Sequence, residues 1–319
     1  HPHVLRRRQR QDVYKRQRFN SSKVGTASLT GDMLFSNNQV NIGSNILTLQ
    51  TLSDGLYSGH KVTVEDEWGN VSLEETIDNF EVDTVHQSLT TTLSITDSSG
   101  STLSKNHAKA GEVIQLDISS TESFTLNSVK FIIDSTEYAA TTLASNSATY
   151  TVTNGSVGTA NGNVGIEIDS TDAAGNEKTT TAITTGTVVV NTTIPTMTIA
   201  SSTAGVSSGS TTNDTYIGLT FTSSEVTTDF VVGDITVSGG SLIDSNGAST
   251  FDSESTTVYT ATFTPSGDGP CSISVAGGKF SDVAGNPNAA TSVFNWTYDC
   301  LLYTSEAADD EERGGGGGG

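Results

Sequence analysis

Between residues 19 and 300 the chain has no arginine; its cations are seven lysines, set against thirty aspartates and glutamates. So acidic a surface repels phosphate backbones and anionic lipid and attracts divalent cations, which excludes nucleic-acid binding by this stretch. Cysteine is nearly missing as well. Cys271 and Cys300 allow at most one disulfide, fewer than small cross-linked secreted scaffolds carry. Export does not require disulfides, so the shortage does not argue against it. No apolar run approaches the ~18 residues of a membrane helix, and no apolar stretch follows the basic N-terminus, so no membrane span or export signal is expected within this sequence.

Catalytic patterns are absent too. His60, His86 and His107 stand in unrelated contexts, with no His-x-x-x-His or Cys-x-x-Cys spacing. No serine lies in Gly-x-Ser-x-Gly, and no glycine-rich loop leads into a helix. The acidic pairs Glu65-Asp66 and Glu74-Glu75 read as solvated surface rather than a general acid and base fixed in a cleft. The expectation is a protein that is not an enzyme and requires no cofactor.

What is abundant is Thr, Ser, Gly, Asn, Asp and Val, a mixture that disfavours helix because branched side chains lose rotamer freedom there. Period-two alternation recurs at Leu93–Ile95, Ile114–Ile118, Val129–Ile133, Ile217–Phe221, Ile235–Val237, Tyr259–Phe263 and Ile273–Val275. Each segment puts one face in a core and one in water. Turn signals separate them, among them Ser53-Asp54-Gly55, Asn154-Gly155, Asn246-Gly247 and Gly267-Asp268-Gly269. The fold class expected is all-β, built of short strands.

The two ends break from this composition. Residues 1–18 hold seven of the fifteen basic side chains, and residues 300–319 finish in six glycines. The strings DVYKRQ (12–17) and CLLYTS (300–305) resemble translated sequencing-adapter read-through. Both segments are expected to be non-native, which would leave Cys271 as a lone thiol.

A self-comparison finds Asp-x-x-Gly-Asn three times, at Asp66–Asn70, Asp172–Asn176 and Asp282–Asn286, with the aspartates 106 and 110 residues apart. That spacing is the length of one β-sandwich module. A closing strand follows each copy (Phe80–Val82, Val188–Val190, Phe294–Tyr298), and then a short polar link beginning at Asp83, Asn191 or Asp299. Pro195, with its fixed φ and no N–H, suits a stiff hinge. The organisation expected is a partial module at 19–86 lacking its opening strands, and complete modules at 87–194 and 195–299. In the turn itself, Asp accepts a backbone N–H two residues on, and Gly takes positive φ. The same aspartates are candidate calcium ligands at sites between modules, where a turn Asp meets another module's linker Asp: Asp66, Asp172 and Asp282 with Asp83 and Asp299. Asn191 offers only a neutral oxygen. Trp296, alternating with Phe294 and Tyr298, reads as core; Tyr57, Trp68 and Tyr138 are the candidate ligand platforms.

Several stretches of the third module, Leu219–Val226, Asp234–Gly240, Tyr259–Pro265, Asp282–Asn286 and Trp296–Asp299, resemble bacterial immunoglobulin-like domains of large surface adhesins. The first module shares Leu52–Gly55, Val62–Asp66, Gly69-Asn70 and Phe80–Thr84; the middle one shares Thr171–Asn176. The resemblance implies tandem immunoglobulin-like β-sandwich domains, an extracellular or cell-surface location, and service as a stalk that projects a binding domain, in some arrays stiffened by calcium. Its implied partners are neighbouring repeats of the same chain. Two other roles fit the residues: a module that grips glycan or a host or cell-surface protein through end loops, and accessory domains of a secreted hydrolase.

Overall fold

A computed structural model of the chain describes residues 16–21, 24–31, 33–41, 43–154, 159–243 and 246–300. The segments expected to be non-native therefore lie largely outside the described residues. Their inner edge does not: Arg16–Ser21 forms a strand antiparallel to Gly43–Leu49, with Arg16 opposite Thr48 and Arg18 opposite Ile46. A ladder is made of backbone amides, so it accepts any residue with an N–H, whatever the composition around it.

The described residues are strands and turns, with one 3₁₀ turn at Val232–Asp234 and no α-helix. They divide into two compact units, one taking residues up to Asn106 with Gly111–Val189, the other His107–Ala110 with residues from Val190 onward. The Asp66 and Asp172 turns fall in the first unit, the Asp282 turn in the second.

In the first unit, the N-terminal part builds a four-stranded sheet in the order Gln39–Val40, Gly25–Leu29, Lys61–Asp66, Glu75–Thr76. Beside it are a three-stranded sheet around Gly43–Leu49 and a pair formed by Gly55–Tyr57 and Phe80–Val82. Its core is modest: Ala27, Val40 and Leu47 in one cluster, Met33, Leu49 and Ile77 in another.

The middle module is a fuller sandwich. One sheet runs Thr102–Leu103, Thr90–Thr96, Val113–Ser119, Ser147–Thr151, Thr142–Leu143. The other has Phe124–Ile133 between Thr136–Ala139 and Gly162–Asp172, and Gly162–Asp172 also takes Glu177–Thr180 and Val189–Val190. The registers align the expected apolar positions: Leu93 faces Leu116 and Ile95 faces Ile114, while Phe131 faces Ile166 and Val129 faces Ile168. All eight are buried. Alternation in sequence has become one inner face per sheet.

The second unit packs Met197–Ser201, Ile217–Ser223, Val258–Pro265 and Gly240–Ser241 as one sheet, and Thr211–Thr212, Phe294–Tyr298, Gly269–Val275 and Ile235–Ser238 as another. Its core is aromatic. Phe230 meets Phe221, Phe251, Tyr259 and Phe280 with ring centroids 5.0–5.9 Å apart. Trp296 is 2% exposed and stands edge-on to Phe263 at 4.6 Å, as its alternation predicts. Cys271 is buried in this core, and neither cysteine is in a disulfide.

Candidate functional site: the turn–linker clamps

The three Asp-x-x-Gly-Asn turns share one hydrogen-bond pattern. In each, the glycine N–H donates to the aspartate carbonyl, closing the turn at 3.1, 3.2 and 3.0 Å, and the glycine sits at φ +84°, +94° or +87°. A side chain there would be strained, which is why the fourth position is glycine. The aspartate Oδ1 accepts two backbone amides, from the third and fifth residues: Trp68 and Asn70, Ala174 and Asn176, Ala284 and Asn286, all at 2.8–3.0 Å. The turn expected from the sequence is the turn observed.

The fifth residue does what sequence reasoning did not assign. Asn176 Nδ2 donates to Asp172 Oδ2 at 2.8 Å and to the carbonyl oxygen of Asp83 at 3.2 Å. Asn286 Nδ2 donates to Asp282 Oδ2 at 2.9 Å and to the carbonyl oxygen of Asn191 at 2.8 Å. Each turn thus holds the linker that precedes its own module, across 93 and 95 residues of sequence. The legible signal was the asparagine itself, present in all three copies. In the first copy Asn70 Nδ2 turns back on both carboxylate oxygens of Asp66.

Around this shared clamp the side chains differ. In the first unit, ligand oxygens of Asp83, Glu122 and Asp172 lie within 4.8 Å of one another. Asp83 and Glu122 border a cleft of about 550 Å³ that is also lined by Asp54 and Glu81. Asp54 Oδ1 accepts both the N–H and the hydroxyl of Thr84, fixing the next linker residue. Three carboxylates form the all-oxygen set that a hard cation such as calcium prefers. In the second unit the linker residue is Asn191, whose Nδ2 donates to Asp282 Oδ2 at 3.1 Å, and Lys109 Nζ donates to Gly285 O at 2.7 Å. An amide and an ammonium stand here where the other clamp has carboxylates.

Of the candidate calcium ligands, the fold brings Asp83 and Asp172 together and adds Glu122, which sequence reasoning missed because its loop, after Val113–Ser119, has no distinctive spacing to the turn. Asp66 is held in its own turn, Asp282 faces Asn191, and the Asp299 amide donates to Thr212 O. The candidate platforms separate likewise. Trp68 is 80% exposed, next to exposed Val71 and Leu73. Tyr57 and Tyr138 are only half exposed. Tyr57 stacks on Phe80 at 5.2 Å and donates to Ser53 O; Tyr138 packs on Tyr150 at 5.1 Å and its hydroxyl accepts the Ala160 amide.

Carboxylate titration is shifted where side-chain hydrogen bonds fix a loop or join neighbouring strands. Burial pushes the Asp229 carboxyl up, but hydrogen bonds from Ser281 and Thr227 outweigh it and hold the group below the usual carboxylate range. Asp169 is lowered by Thr179 and Ser128. Hydrogen bonds to Glu167 and Glu137 keep Lys130 firmly protonated.

Residues 191–298 match the bacterial Ig-like domain family. No curated protein matches the sequence. Among solved structures the chain is similar to the fibronectin(III)-like modules of Clostridium thermocellum CbhA, at 18% identity over 66% of this chain and 97% of that one, with a TM-score of 0.24. A tetra-tandem repeat in the extending region of a large adhesion protein is similar at 17% identity, over 88% and 67%, with a TM-score of 0.29. Invasin, a bacterial integrin-binding protein, is similar at 14% identity over 87% of this chain and 53% of that one, with a TM-score of 0.32. No helix among the described residues is long and apolar enough to cross a membrane.

Proposed function

We propose that this chain is a structural stalk segment of a secreted or cell-surface bacterial adhesin-like protein, non-catalytic in itself, in which modules in series space a binding domain away from the cell. The observation that carries this reading is the repeated clamp. A stalk needs its linkers held, and in both units an asparagine of the turn grips the carbonyl of the linker residue ahead of its own module. Two hydrogen bonds to one carboxylate and one to the linker remove the freedom that a short polar link otherwise has.

Calcium belongs to this reading at one place. Asp83, Glu122 and Asp172 supply hard oxygen ligands from a linker, a loop and a turn, so a cation there ties the three together. Small-angle scattering tests the stalk. An elongated particle is expected, and Asn176→Ala with Asn286→Ala should broaden its distance distribution; a compact particle overturns the reading.

A second reading is favoured by Trp68. Its equivalents Ala174 and Ala284 are buried, whereas Trp68 is 80% exposed, and Val71 and Leu73, three and five residues on, are exposed too. An aromatic face on an end loop suits glycan or protein recognition. Binding to a glycan array that is lost in Trp68→Ala would establish it.

A further inference from the structure

The segment that leaves the first turn, residues 67–76, is exposed from end to end. It carries three large apolar side chains: Trp68 is 80% exposed, Val71 61% and Leu73 95%. Single apolar residues are ordinary on a protein surface, but three within six residues form a patch with a use to be found. The backbone here is held from one side only. The Ser72 amide donates to Val64 O at 2.8 Å and the Ile77 amide to His60 O at 2.9 Å, both toward the strand Lys61–Asp66. Glu75–Thr76 is the last strand of its four-stranded sheet, and no described strand pairs with its far side. Successive amides of an extended segment alternate in direction, so the Thr76 N–H, next to that of Ile77, points to the open edge. Acids surround these groups. Glu74 pairs with Lys61, while Glu65, Glu67 and Glu75 are exposed and have no partner among the described residues.

We propose that this edge is a docking site for an extended, basic segment of another protein, one whose apolar side chains alternate with lysine or arginine. The carboxylates pair with the segment's cations, the open edge pairs with its backbone, and Trp68, Val71 and Leu73 receive its apolar side chains. Charge selects this occupant. The body of a second copy brings the same acids and no arginine, and is repelled, as are nucleic acid and anionic lipid. A neutral glycan stacks on an aromatic face but gains nothing from Val71, Leu73 or the carboxylate charge. Acids on a short edge strand also guard it against aggregation. That role accounts for Glu74 and Glu75 and leaves the three apolar side chains in water without a reason. The proposal rests on the recognition reading of Trp68 and is independent of the stalk.

The test is fluorescence anisotropy of a short labelled peptide of alternating lysine and valine, titrated with the full chain. Saturable binding is expected, and Trp68→Ala or Leu73→Ser should weaken it roughly tenfold, the scale of a central apolar contact in an interface. Both changes leave the net charge alone, so generic attraction of a cationic peptide to an acidic chain would survive them. Thr76→Pro removes the open-edge donor, at an edge position where proline is tolerated, and should weaken binding several-fold. Changing Glu65, Glu67 and Glu75 together to Gln should remove most of the salt dependence. Absence of binding, or binding that Trp68→Ala and Leu73→Ser leave unchanged, overturns the proposal. Self-association in sedimentation that Trp68→Ala abolishes also overturns it, by making the basic end of a second copy the occupant. If the chain binds a neutral glycan array through Trp68 and ignores the peptide, the recognition reading stands and this proposal alone falls; if it ignores both, the two fall together.

Discussion

The two clamps use the same five-residue turn and meet opposite electrostatics. At Asp172 the linker residue is Asp83 and a third carboxylate, Glu122, closes in. At Asp282 the linker residue is Asn191, which donates to the turn carboxylate, and Lys109 caps the Gly285 carbonyl. An amide can be both acceptor and donor, so the second clamp satisfies itself. A carboxylate group brings only oxygens, so the first gathers three such groups within 4.8 Å of one another. Under the proposed calcium reading, the change from Asp to Asn at the linker separates a joint expected to respond to metal from one expected not to.

The sharpest way to break the comparison is to remove its common hub. Asp172→Ala or Asp282→Ala strands two backbone amides and the clamp asparagine in a buried turn. A loss of roughly 2–4 kcal/mol is expected from urea denaturation, larger at Asp282 because Asn191 loses its acceptor too. Calcium comes next. At a hundredfold excess over its dissociation constant it should stabilise the first unit by about 2.7 kcal/mol and leave the second unmoved, read as two transitions in calorimetry with and without chelator. An unchanged upper and lower midpoint removes the metal from the first clamp.

Exchanging the linker residues sharpens the contrast. Asp83→Asn should abolish the calcium response. Asn191→Asp should cost roughly 1–2 kcal/mol by replacing a donor with a like charge against Asp282. Lys109→Met should cost about 1 kcal/mol through the Gly285 carbonyl, and calcium should not restore it.

The smallest effect expected is that of acid. Asp229 and Asp169, one in each unit, titrate below the ordinary carboxylate value in the folded chain. Their stabilisation is complete above the unfolded value near 4 and is lost as pH falls through the lower folded value. Midpoints measured at pH 6 and pH 3 should fall, and Asp229→Asn should flatten the dependence of the second unit; an equal slope in that variant removes Asp229 as a cause.

Much of this was legible in the residues. Alternation at Val129–Ile133 and Val164–Ile168 told which faces are inner, because a strand sends neighbours to opposite sides and only one side can be buried. The Asp-x-x-Gly-Asn turn was legible in its Asp bond to the amide two residues on and in its positive-φ glycine, because both close within the five residues, but the bonds of its asparagine were not. Trp296 and Trp68 were separable by context, one alternating with Phe294 and the other inside a turn. What packs against Tyr57 and Tyr138 was not legible, since Phe80 and Tyr150 come to them from other parts of the fold.

By itself, then, the sequence determined the strands, the turns, the repeat and the acidic surface, all of which arise from interactions between near neighbours or from composition. Only the tertiary structure decided that Asn176 and Asn286 reach linkers more than ninety residues away, and that Glu122 joins Asp83 and Asp172. Those pairings depend on how sheets stack and where loops between them return, and no local period encodes that.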